Sequence, residues 1–325
     1  MRNPLRAEFC SSLLSNLPRL ILLTLLLLPS GPAAAGPEAQ ITDYRVIRMS
    51  ARDASGQVRL AIRSFQSGGV PHLLVIDPNS FKSFDLPAAS LTLSAAVTDP
   101  SLGSSPLMRA LERYDSPPYP LQNGGATRAA GQVGGEFLTV DLCPSRHPFE
   151  RELFDTLVGM GKGAPVPVAV AITGVWLKNH PEDFAYLQRE AAAGKLAITW
   201  MNHSFHHSYD PKAPLARNFV LTPGTDFPAE VLELEQLLLS RGVVPTPFFR
   251  FPGLVSDPAT VKRLRDYSLI PIGSDAWLAK GESPRKGSFI LVHGNGNEPK
   301  GVKLLLPMLR RGEFHLLPLP EAFGT

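Results

Sequence analysis

The chain has 325 residues, of which 44% are hydrophobic and 19% charged, the composition of a globular protein long enough to bury a large core. Its formal net charge is +3 at pH 7, and beyond residue 35 the balance is 29 basic against 28 acidic side chains, a net +1. A chain so nearly neutral lacks the basic surface that nucleic-acid binding requires. We therefore expect no nucleic acid among its partners.

Residues 1–35 have the order of a secretory signal peptide. A basic stretch precedes an almost wholly apolar run from Leu20 to Leu28, and three alanines ending at Ala35 follow it. The apolar run is shorter than the roughly 20 residues that span a bilayer. We predict cleavage after Ala35, export to the periplasm or the extracellular space, and no transmembrane segment in the mature chain, with an uncleaved anchor as the alternative. Cys10 leaves with the leader, so the mature chain keeps Cys143 alone.

Residues 36–130 are predicted to form a small β-rich accessory region followed by a linker. Alternating apolar residues indicate strands, and a cluster of Asp, Ser and Gly indicates a turn between the first two. The predicted elements are strands at Tyr44 to Met49, Val58 to Phe65 and Leu73 to Ile76, a turn at Asp53 to Gly56, a helix at Leu107 to Tyr114, and a Pro- and Gly-rich connector at Ser116 to Gly125. The region holds no cluster of His, Cys or acidic residues that would carry chemistry.

Residues 131–325 alternate short apolar runs with amphipathic segments, the pattern of an α/β fold. Strands are predicted at Phe137 to Asp141, Val166 to Ile172, Leu196 to Met201, Pro247 to Arg250, Leu269 to Ile272, Phe289 to Val292 and Phe314 to Leu317. Helices are predicted from Pro181 to Gly194, from Asp226 to Gly242 and from Asp257 to Tyr267. Seven strands alternating with helices indicate a parallel barrel or a doubly wound sheet.

Five polar residues lie at or just after the ends of predicted strands: Asp141, His203, Arg250, Asp275 and His293. The carboxyl ends of parallel strands meet at one edge, and α/β proteins build their active sites there. The sequence therefore predicts an active site at this edge.

Three of the eight histidines fall within five residues, from His203 to His207. The four-residue spacing of the outer two predicts that they share one face of a helical turn, close enough to bind one divalent metal ion. His206 is predicted to face away from that ion. Taken alone, such a pair is a weak signal, and a polar surface loop is the alternative.

Five segments, in this order, resemble the motifs of one enzyme family. They are Leu138 to Pro144, Asn202 to His207, Phe249 to Gly253, Ser274 to Trp277 and Leu291 to His293. The ordered set is similar to the motifs of the polysaccharide deacetylases, carbohydrate esterase family four, and it covers roughly residues 131–320. An ordered set of five is far more specific than any one member.

The resemblance implies a distorted seven-stranded parallel (β/α) barrel and a metal-dependent hydrolase that removes N-acetyl or O-acetyl groups from polysaccharides, not one that cleaves peptide bonds. It assigns Asp141 as the general base and His293 as the general acid. His203 and His207 would bind the metal ion. The expected metal is zinc, with cobalt or nickel as alternatives.

The resemblance also assigns residues around the reacting centre. Arg250 would line the groove and pair with Asp275. Pro252 would belong to the same segment, and the backbone N–H of Gly253 would help to bind the oxyanion. Leu291 would line the acetyl pocket. Trp277, in the segment that resembles the Trp-bearing fourth motif, is a candidate to bind substrate by stacking on a sugar face, with a place in the core as the alternative.

The first motif departs from the family at one position. The family has a second Asp there, which binds the metal, and this chain has Leu142. Two imidazoles alone make a weak site, because a catalytic zinc normally has three protein ligands. Three outcomes stay open: Asp141 turns to the metal, Cys143 supplies a soft third ligand, or the metal is bound poorly or not at all.

The alternative function is therefore a catalytically inactive glycan-binding relative that has lost the metal-ligand Asp. A further alternative is another metal-dependent amidase or esterase on the same barrel. For an active deacetylase, export indicates a glycan partner of the cell exterior: peptidoglycan, a surface polysaccharide or a chitin-like oligomer, in that order of preference.

Overall fold

A computed structural model describes residues 39–95 and 99–324. The predicted leader, residues 1–35, lies outside the described residues. In the part of the chain that is described, none of the helices is long and apolar enough to cross a membrane.

The first part of the chain forms an antiparallel sheet of five strands in the spatial order β4-β3-β2-β1-β5. The strands are β1 (Ile41–Asp53), β2 (Val58–Ser67), β3 (Val70–Ile76), β4 (Ser83–Pro87) and β5 (Leu91–Ala95). The three predicted strands are confirmed and are longer than predicted, whereas β4 and β5 were not expected. The turn between β1 and β2 is also confirmed, because the Asp53 carboxylate accepts hydrogen bonds from the N–H groups of Ser55 and Gln57.

This sheet packs on the rest of the protein instead of standing apart from it. Leu60 and Ile62 on β2 belong to the same apolar cluster as Phe248 in the second half of the chain. The register of β2 against β3 shifts between Ala61 and Arg63, so one residue of β2 is extra there and forms a β-bulge. The side chain of Arg63 is fully buried and forms an ion pair with one acid of the second half.

The partner of Arg63 is Glu235. Two guanidinium nitrogens of Arg63 lie 2.7 and 2.9 Å from the two carboxylate oxygens of Glu235. Tyr44 donates a third hydrogen bond to the same carboxylate, at 2.9 Å. A buried charge that loses its partner costs roughly 3–5 kcal/mol. The ion pair therefore fixes the sheet in one position on the second half of the chain.

The second half contains a seven-stranded sheet in the order β10-β9-β8-β7-β6-β12-β11, and every recorded pair of neighbours is parallel. The strands are β6 (Phe137–Leu142), β7 (Val166–Ile172), β8 (Leu196–Asn202), β9 (Phe248–Phe249), β10 (Ile270–Pro271), β11 (Ala276–Trp277) and β12 (Phe289–His293). Six predicted strands are confirmed. The seven-stranded parallel α/β architecture is confirmed with them.

The seventh predicted strand, Phe314 to Leu317, was wrong. That segment makes a single bridge, between Leu316 and Glu136 just before β6 begins, and the seventh strand of the sheet is β11. The reason is that both edges of β6 are already paired, with β7 on one side and β12 on the other. The segment also lies close to Gly135, where an added Cβ would collide with the carbonyl of His315.

Eight α-helices are present in the described residues. They are α1 (Pro100–Gly103), α2 (Pro106–Tyr114), α3 (Arg151–Met160), α4 (Gly174–Asn179), α5 (Pro181–Ala192), α6 (Phe227–Ser240), α7 (Pro258–Asp266) and α8 (Pro299–Arg310). The predicted helix starts are confirmed, since the Asp226 carboxylate caps α6 and Asp257 forms a capping box with Thr260 at α7.

The residues directly after the predicted connector pair with the seven-stranded sheet at two points. Ala126 forms a bridge with Ile272 beside β10, and Arg128 forms a bridge with Ser288 beside β12. The segment thus runs from beside β10, the strand at one end of the sheet, to beside β12, the second strand from the other end. The connector itself brings Gln122 to the edge where the parallel strands end, 3.0 Å from the carbonyl oxygen of Gly253.

Asp115, at the end of α2, makes stability depend on pH. Its side chain is 1% exposed and neither carboxylate oxygen has a hydrogen-bond partner among the described residues. Burial raises its pKa to about 8, against the weaker opposing effects of Arg265 and Arg48. The folded state therefore keeps a proton that the unfolded chain, with a carboxyl pKa near 4, gives up. The stabilising contribution is present below about pH 4 and is lost as the pH rises to about 8.

We expect Asp115→Asn to remove this dependence. The free energy of unfolding of the variant should gain up to about 4 kcal/mol relative to the unchanged protein between pH 5 and pH 8. Urea unfolding of both proteins at the two pH values measures the difference, in which the other titrating groups cancel. If the free energy of unfolding changes equally with pH in the two proteins, Asp115 is ionised in the folded state.

Candidate functional site

One cavity of about 560 Å³ opens at the edge where the parallel strands end. Asp141 at the end of β6, His203 just after β8 and His293 at the end of β12 all line it. Arg250, just after β9, lies fully buried beneath them. The structure therefore brings four of the five polar residues at predicted strand ends together, and Asp275 is the exception.

The segment that carries the two outer histidines is a loop, so the expected helical turn was wrong. Positive φ angles of 66° at Ser204 and 51° at His207 fold the chain back after β8. This brings the rings of His203 and His207 to a centroid separation of 4.8 Å. The loop achieves the closeness that was expected of a helix.

Glu230, near the start of α6, holds this loop in place. Its buried carboxylate accepts hydrogen bonds from the N–H groups of Phe205 and His206, at 3.0 and 2.9 Å. It also lies 2.8 Å from the ring of His206, whose side chain is 55% exposed. His206 therefore points away from the cavity, as predicted. The spacing of residues along the sequence gave no sign of Glu230.

Three possible metal ligands lie together at the floor of the cavity: Cys143, His203 and His207. Their ligand atoms are all within 4.8 Å of one another, and the Cys143 Sγ is 3.5 Å from the His203 Nε2. Two tetrahedral ligands of zinc at typical S and N distances lie about 3.6 Å apart. The Cys143–His203 distance therefore fits two ligands of one zinc ion, and sulfur and imidazole are ligand types that zinc accepts.

His203 is oriented for this role. Its Nδ1 lies 2.8 Å from the carbonyl oxygen of Arg250, so the Nδ1 proton donates there and Nε2 is the nitrogen left to bind a metal ion. The Nε2 faces both Cys143 and Asp141, whose Oδ2 is also 3.5 Å away. Asp141 is not in the group of mutually close ligand atoms, which contains Cys143 instead.

The alternation of a strand explains why position 142 does not reach this cluster. Asp141 and Cys143 line the cavity, whereas the Leu142 side chain is fully buried in the apolar layer that also contains Val140 and Phe154. Leu142 thus packs in the core between the sheet and its helices.

The burial of the Leu142 side chain predicts what happens when Asp, the family's residue, is put at this position. Leu142→Asp should lower the free energy of unfolding by at least about 3 kcal/mol, because it buries a carboxyl without a partner and leaves a void. It should add no zinc affinity. Leu142→Met, which keeps the volume, should cost less than about 1.5 kcal/mol. Urea unfolding and zinc titration of both variants check this, and a stable Leu142→Asp with tighter zinc binding would contradict the placement.

The expected ion pair of Arg250 with Asp275 is not formed, and Arg250 pairs with Asp141 instead, at 2.6 Å. The Nη1 that faces Asp141 also donates to Thr139 Oγ1, and Nε and Nη2 donate to the carbonyl oxygens of Ile272 and Gly273. Asp275 accepts a hydrogen bond from the N–H of Phe289 and lies 3.9 Å from two arginines, Arg128 and Arg285.

His293 has a carboxylate partner that the sequence analysis missed. Its Nδ1 lies 2.8 Å from Glu298 Oε2, a close ion-pair contact without the angle of a directed hydrogen bond. Trp277 donates from Nε1 to the same oxygen, also at 2.8 Å. Glu298 stands just before α8, and an acid after the Gly-rich turn at 294–296 was the only signal in the sequence.

Charge balance sets the protonation of the site. Burial alone would raise the pKa of Asp141, but Arg250, His203 and His293 hold it below its usual value. Burial would likewise raise the pKa of the Cys143 thiol, and three histidines outweigh it and lower that pKa well below the usual range.

The opposite holds for His293. Burial alone would lower its pKa, but Cys143, Glu298 and Asp141 raise it well above the usual value. The site therefore presents an ionised carboxylate and a thiolate facing a protonated imidazole.

Three of the four residues expected to bind substrate line the cavity: Gly253, Trp277 and Leu291. Pro252 is buried next to Gly253 and is not part of the lining. Gly253 has a φ of +60°, and an added Cβ would collide with the Phe219 ring, so only glycine fits there.

No family model matches the sequence. Among solved structures, the chain is similar to PdaA of Bacillus subtilis, a family 4 carbohydrate esterase, at 15% identity and a TM-score of 0.47, over 67% of this chain and 89% of that one. It is similar to a chitin deacetylase of Colletotrichum lindemuthianum at 16% identity and a TM-score of 0.44, over 63% and 93%.

A third similar structure is BA3943 of Bacillus anthracis, described as a pseudoenzyme of the same family, at 13% identity and a TM-score of 0.44, over 78% of this chain and 84% of that one. PdaA and BA3943 are both described as members of carbohydrate esterase family four.

Proposed function

We propose that this protein is an exported zinc-dependent hydrolase that removes N-acetyl, or O-acetyl, groups from a polysaccharide. One observation carries the proposal: a buried carboxylate, a Cys-His-His ligand set and a carboxylate-paired histidine face one cavity at the carboxyl edge of a parallel sheet. Hydrolysis of an amide needs a base, an electrophile and an acid, and these groups supply all three.

The metal would be held by Cys143, His203 and His207. The thiolate takes the place of the family's second Asp, and a soft sulfur ligand favours zinc over the harder divalent ions. When bound, zinc acts as a Lewis acid on the acetyl carbonyl and makes a water acidic enough to ionise near neutral pH. His203 is held for this by the Arg250 carbonyl, and the loop of both histidines is held by Glu230.

Asp141 is the general base. It removes a proton from the attacking water, and Arg250 at 2.6 Å keeps the carboxylate ionised and correctly oriented. His293 is the general acid. It gives a proton to the departing nitrogen, so that water and amide become acetate and a free amine, and Glu298 stabilises its protonated form.

The backbone N–H of Gly253 is the proposed donor to the oxyanion. Gln122 donates from Nε2 to the Gly253 carbonyl oxygen at 3.0 Å, and the Phe219 ring fills the space beside the glycine. Gly253 is therefore held by a hydrogen bond to its carbonyl oxygen and by the ring that packs beside its Cα. Leu291, opposite, is fully buried and supplies an apolar wall for the acetyl methyl group.

The predicted leader points to a substrate outside the cytoplasm, with peptidoglycan, a surface polysaccharide and chitin-like oligomers as the candidates. The test is acetate release by the chain from Gly36 onward, with zinc and with a chelator, on peptidoglycan and on N-acetylglucosamine oligomers. We expect release that needs zinc and is lost in His203→Ala. His315→Ala, at the other end of the sheet, is the matched control and should keep it. No release from any glycan in the presence of bound zinc would overturn the proposal.

Leu142 favours one second candidate, a glycan-binding relative without catalysis. The two candidates differ in how they depend on Asp141 and His293. If the protein only binds glycans, the unchanged protein releases no acetate, and the Asp141→Asn and His293→Ala variants keep its affinity for glycan strands.

A further inference from the structure

An exposed aromatic ring stands at the mouth of the cavity. Tyr209 is 62% exposed, the largest exposed fraction of any large apolar side chain in the described residues. It lines the same cavity as the metal ligands, beside Leu215, which is 39% exposed. Exposed aromatic side chains next to a site of chemistry are typical of binding surfaces.

One face of this ring is covered. Tyr209 stacks on Phe219 with a centroid separation of 5.1 Å and an angle of 19°. Phe219 in turn meets the ring of His207 edge-on, at 5.5 Å and 82°. Two ring-to-ring steps thus separate Tyr209 from a metal ligand. The exposed part of the Tyr209 ring faces away from Phe219 and is open to a molecule in the groove.

The loop that carries the ring is rigidly held by Asn218, whose side chain is 1% exposed. Its Oδ1 accepts hydrogen bonds from the N–H groups of Asp210 and Phe219, at 3.0 and 2.9 Å. Its Nδ2 donates to the carbonyl oxygens of Asp210 and Ala213, at 2.6 and 3.2 Å. A buried side chain that makes four hydrogen bonds to one loop fixes the ring in its exposed position before anything binds.

A ring of this kind suits a sugar. One face of a pyranose consists of C–H groups and packs on an aromatic face, while its hydroxyl groups stay in water or meet the phenol at the edge. Because Tyr209 stands two ring steps from the metal ligand, a sugar stacked on it is not the sugar whose acetyl group reaches the ion.

We propose that Tyr209 binds a sugar neighbouring the one that is deacetylated, so that the enzyme acts on chains of at least two sugars and poorly on monosaccharides. The inference rests on the proposed deacetylase function and names the residue that selects chain length. Phe219 positions the platform, and the loop from Asp210 to Asn218 forms the wall of the neighbouring subsite.

The test compares kcat/KM for N-acetylglucosamine, its dimer, its tetramer and 4-nitrophenyl acetate. In the unchanged protein the tetramer should exceed the monomer by about tenfold or more, which corresponds to 1.4 kcal/mol. Tyr209→Ala should lower the tetramer-to-monomer ratio to near one and lower the ratio of tetramer to small ester by a similar factor. Tyr209→Phe and Tyr209→Trp should restore the chain-length preference. The same tetramer-to-monomer ratio in Tyr209→Ala as in the unchanged protein would overturn the inference.

Failure of the proposed function looks different from failure of this inference. If the zinc-loaded protein releases no acetate, calorimetric titration with the tetramer decides the role of Tyr209. Loss of tetramer binding in Tyr209→Ala, with binding kept in Tyr209→Phe, supports it, and equal binding by all three proteins or binding by none overturns it. Equal zinc content and equal melting temperature in the variants show that the ring itself is responsible.

Discussion

Cys143→Ser is expected to lower the zinc affinity by at least about 100-fold, the upper end of the loss caused by removing an outer partner of a ligand. The thiolate is one of three ligands, and a hydroxyl is a far weaker donor at neutral pH. Without the thiolate, two imidazoles remain as ligands. Zinc-dependent acetate release should fall in proportion to the fraction of protein that still binds zinc. Competition with a chromophoric chelator measures the affinity.

Two further variants make this result specific. Cys143→Asp supplies a carboxylate oxygen, which zinc accepts, and should bind more tightly than Cys143→Ser. Ser145→Ala, two residues along and outside the ligand set, should bind zinc as the unchanged protein does. If Cys143→Ser keeps the full affinity, the third ligand is another group, and Asp141 is the nearest alternative.

The second large effect concerns the general base. Asp141→Asn should lower kcat by about 10²- to 10⁴-fold with little change in KM, because an amide keeps the shape but accepts no proton. It should also destabilise the fold by roughly 3–5 kcal/mol, since it leaves the charge of Arg250 buried without a partner. Kinetics at a temperature far below the unfolding transition separates the two effects.

Asp275→Asn is the matched control for this experiment. The residue type and the change are the same, but Asp275 lies away from Arg250 and does not line the cavity. We expect Asp141→Asn to lower kcat far more than Asp275→Asn does. Equal losses would show that Asp275 takes part in the chemistry, as the family pattern implies.

The strands of the sheet centre were predictable because they are mostly apolar. Val166–Ile172 is a continuous apolar run and Leu196–Asn202 is apolar except at Thr199 and Asn202, so composition and length together identify both. Ala276–Trp277 has two residues and carries no such signal. Phe314 to Leu317 has the composition of a strand but lies beside β6, whose two edges are already paired. Availability of a partner is a property of the folded sheet.

The site shows the same division. Motif order identified Asp141, His203, His207 and His293, because these groups stand at strand ends whose convergence follows from the fold class. Their supporting partners come from distant parts of the chain, and nothing in local sequence indicates that Glu230 holds the histidine loop.

The ion-pair partners of the charged residues could not be predicted from the sequence either. Arg250 has four acceptors around it, and only the packed structure decides that the carboxylate among them is that of Asp141. The choice of Cys143 over Leu142 followed from strand alternation, which the sequence contains. It becomes decisive only once the structure shows which face of β6 meets the cavity.

The ligand set can be measured directly by X-ray absorption at the zinc edge, on the chain from Gly36 onward loaded with one equivalent of zinc. Ligation by Cys143, His203 and His207 predicts one sulfur at about 2.3 Å and two imidazole nitrogens at about 2.0–2.1 Å from the ion. The sulfur shell should disappear in Cys143→Ser. A spectrum of the unchanged protein with only nitrogen and oxygen neighbours would contradict the assignment of Cys143 as the ligand that takes the place of the missing Asp.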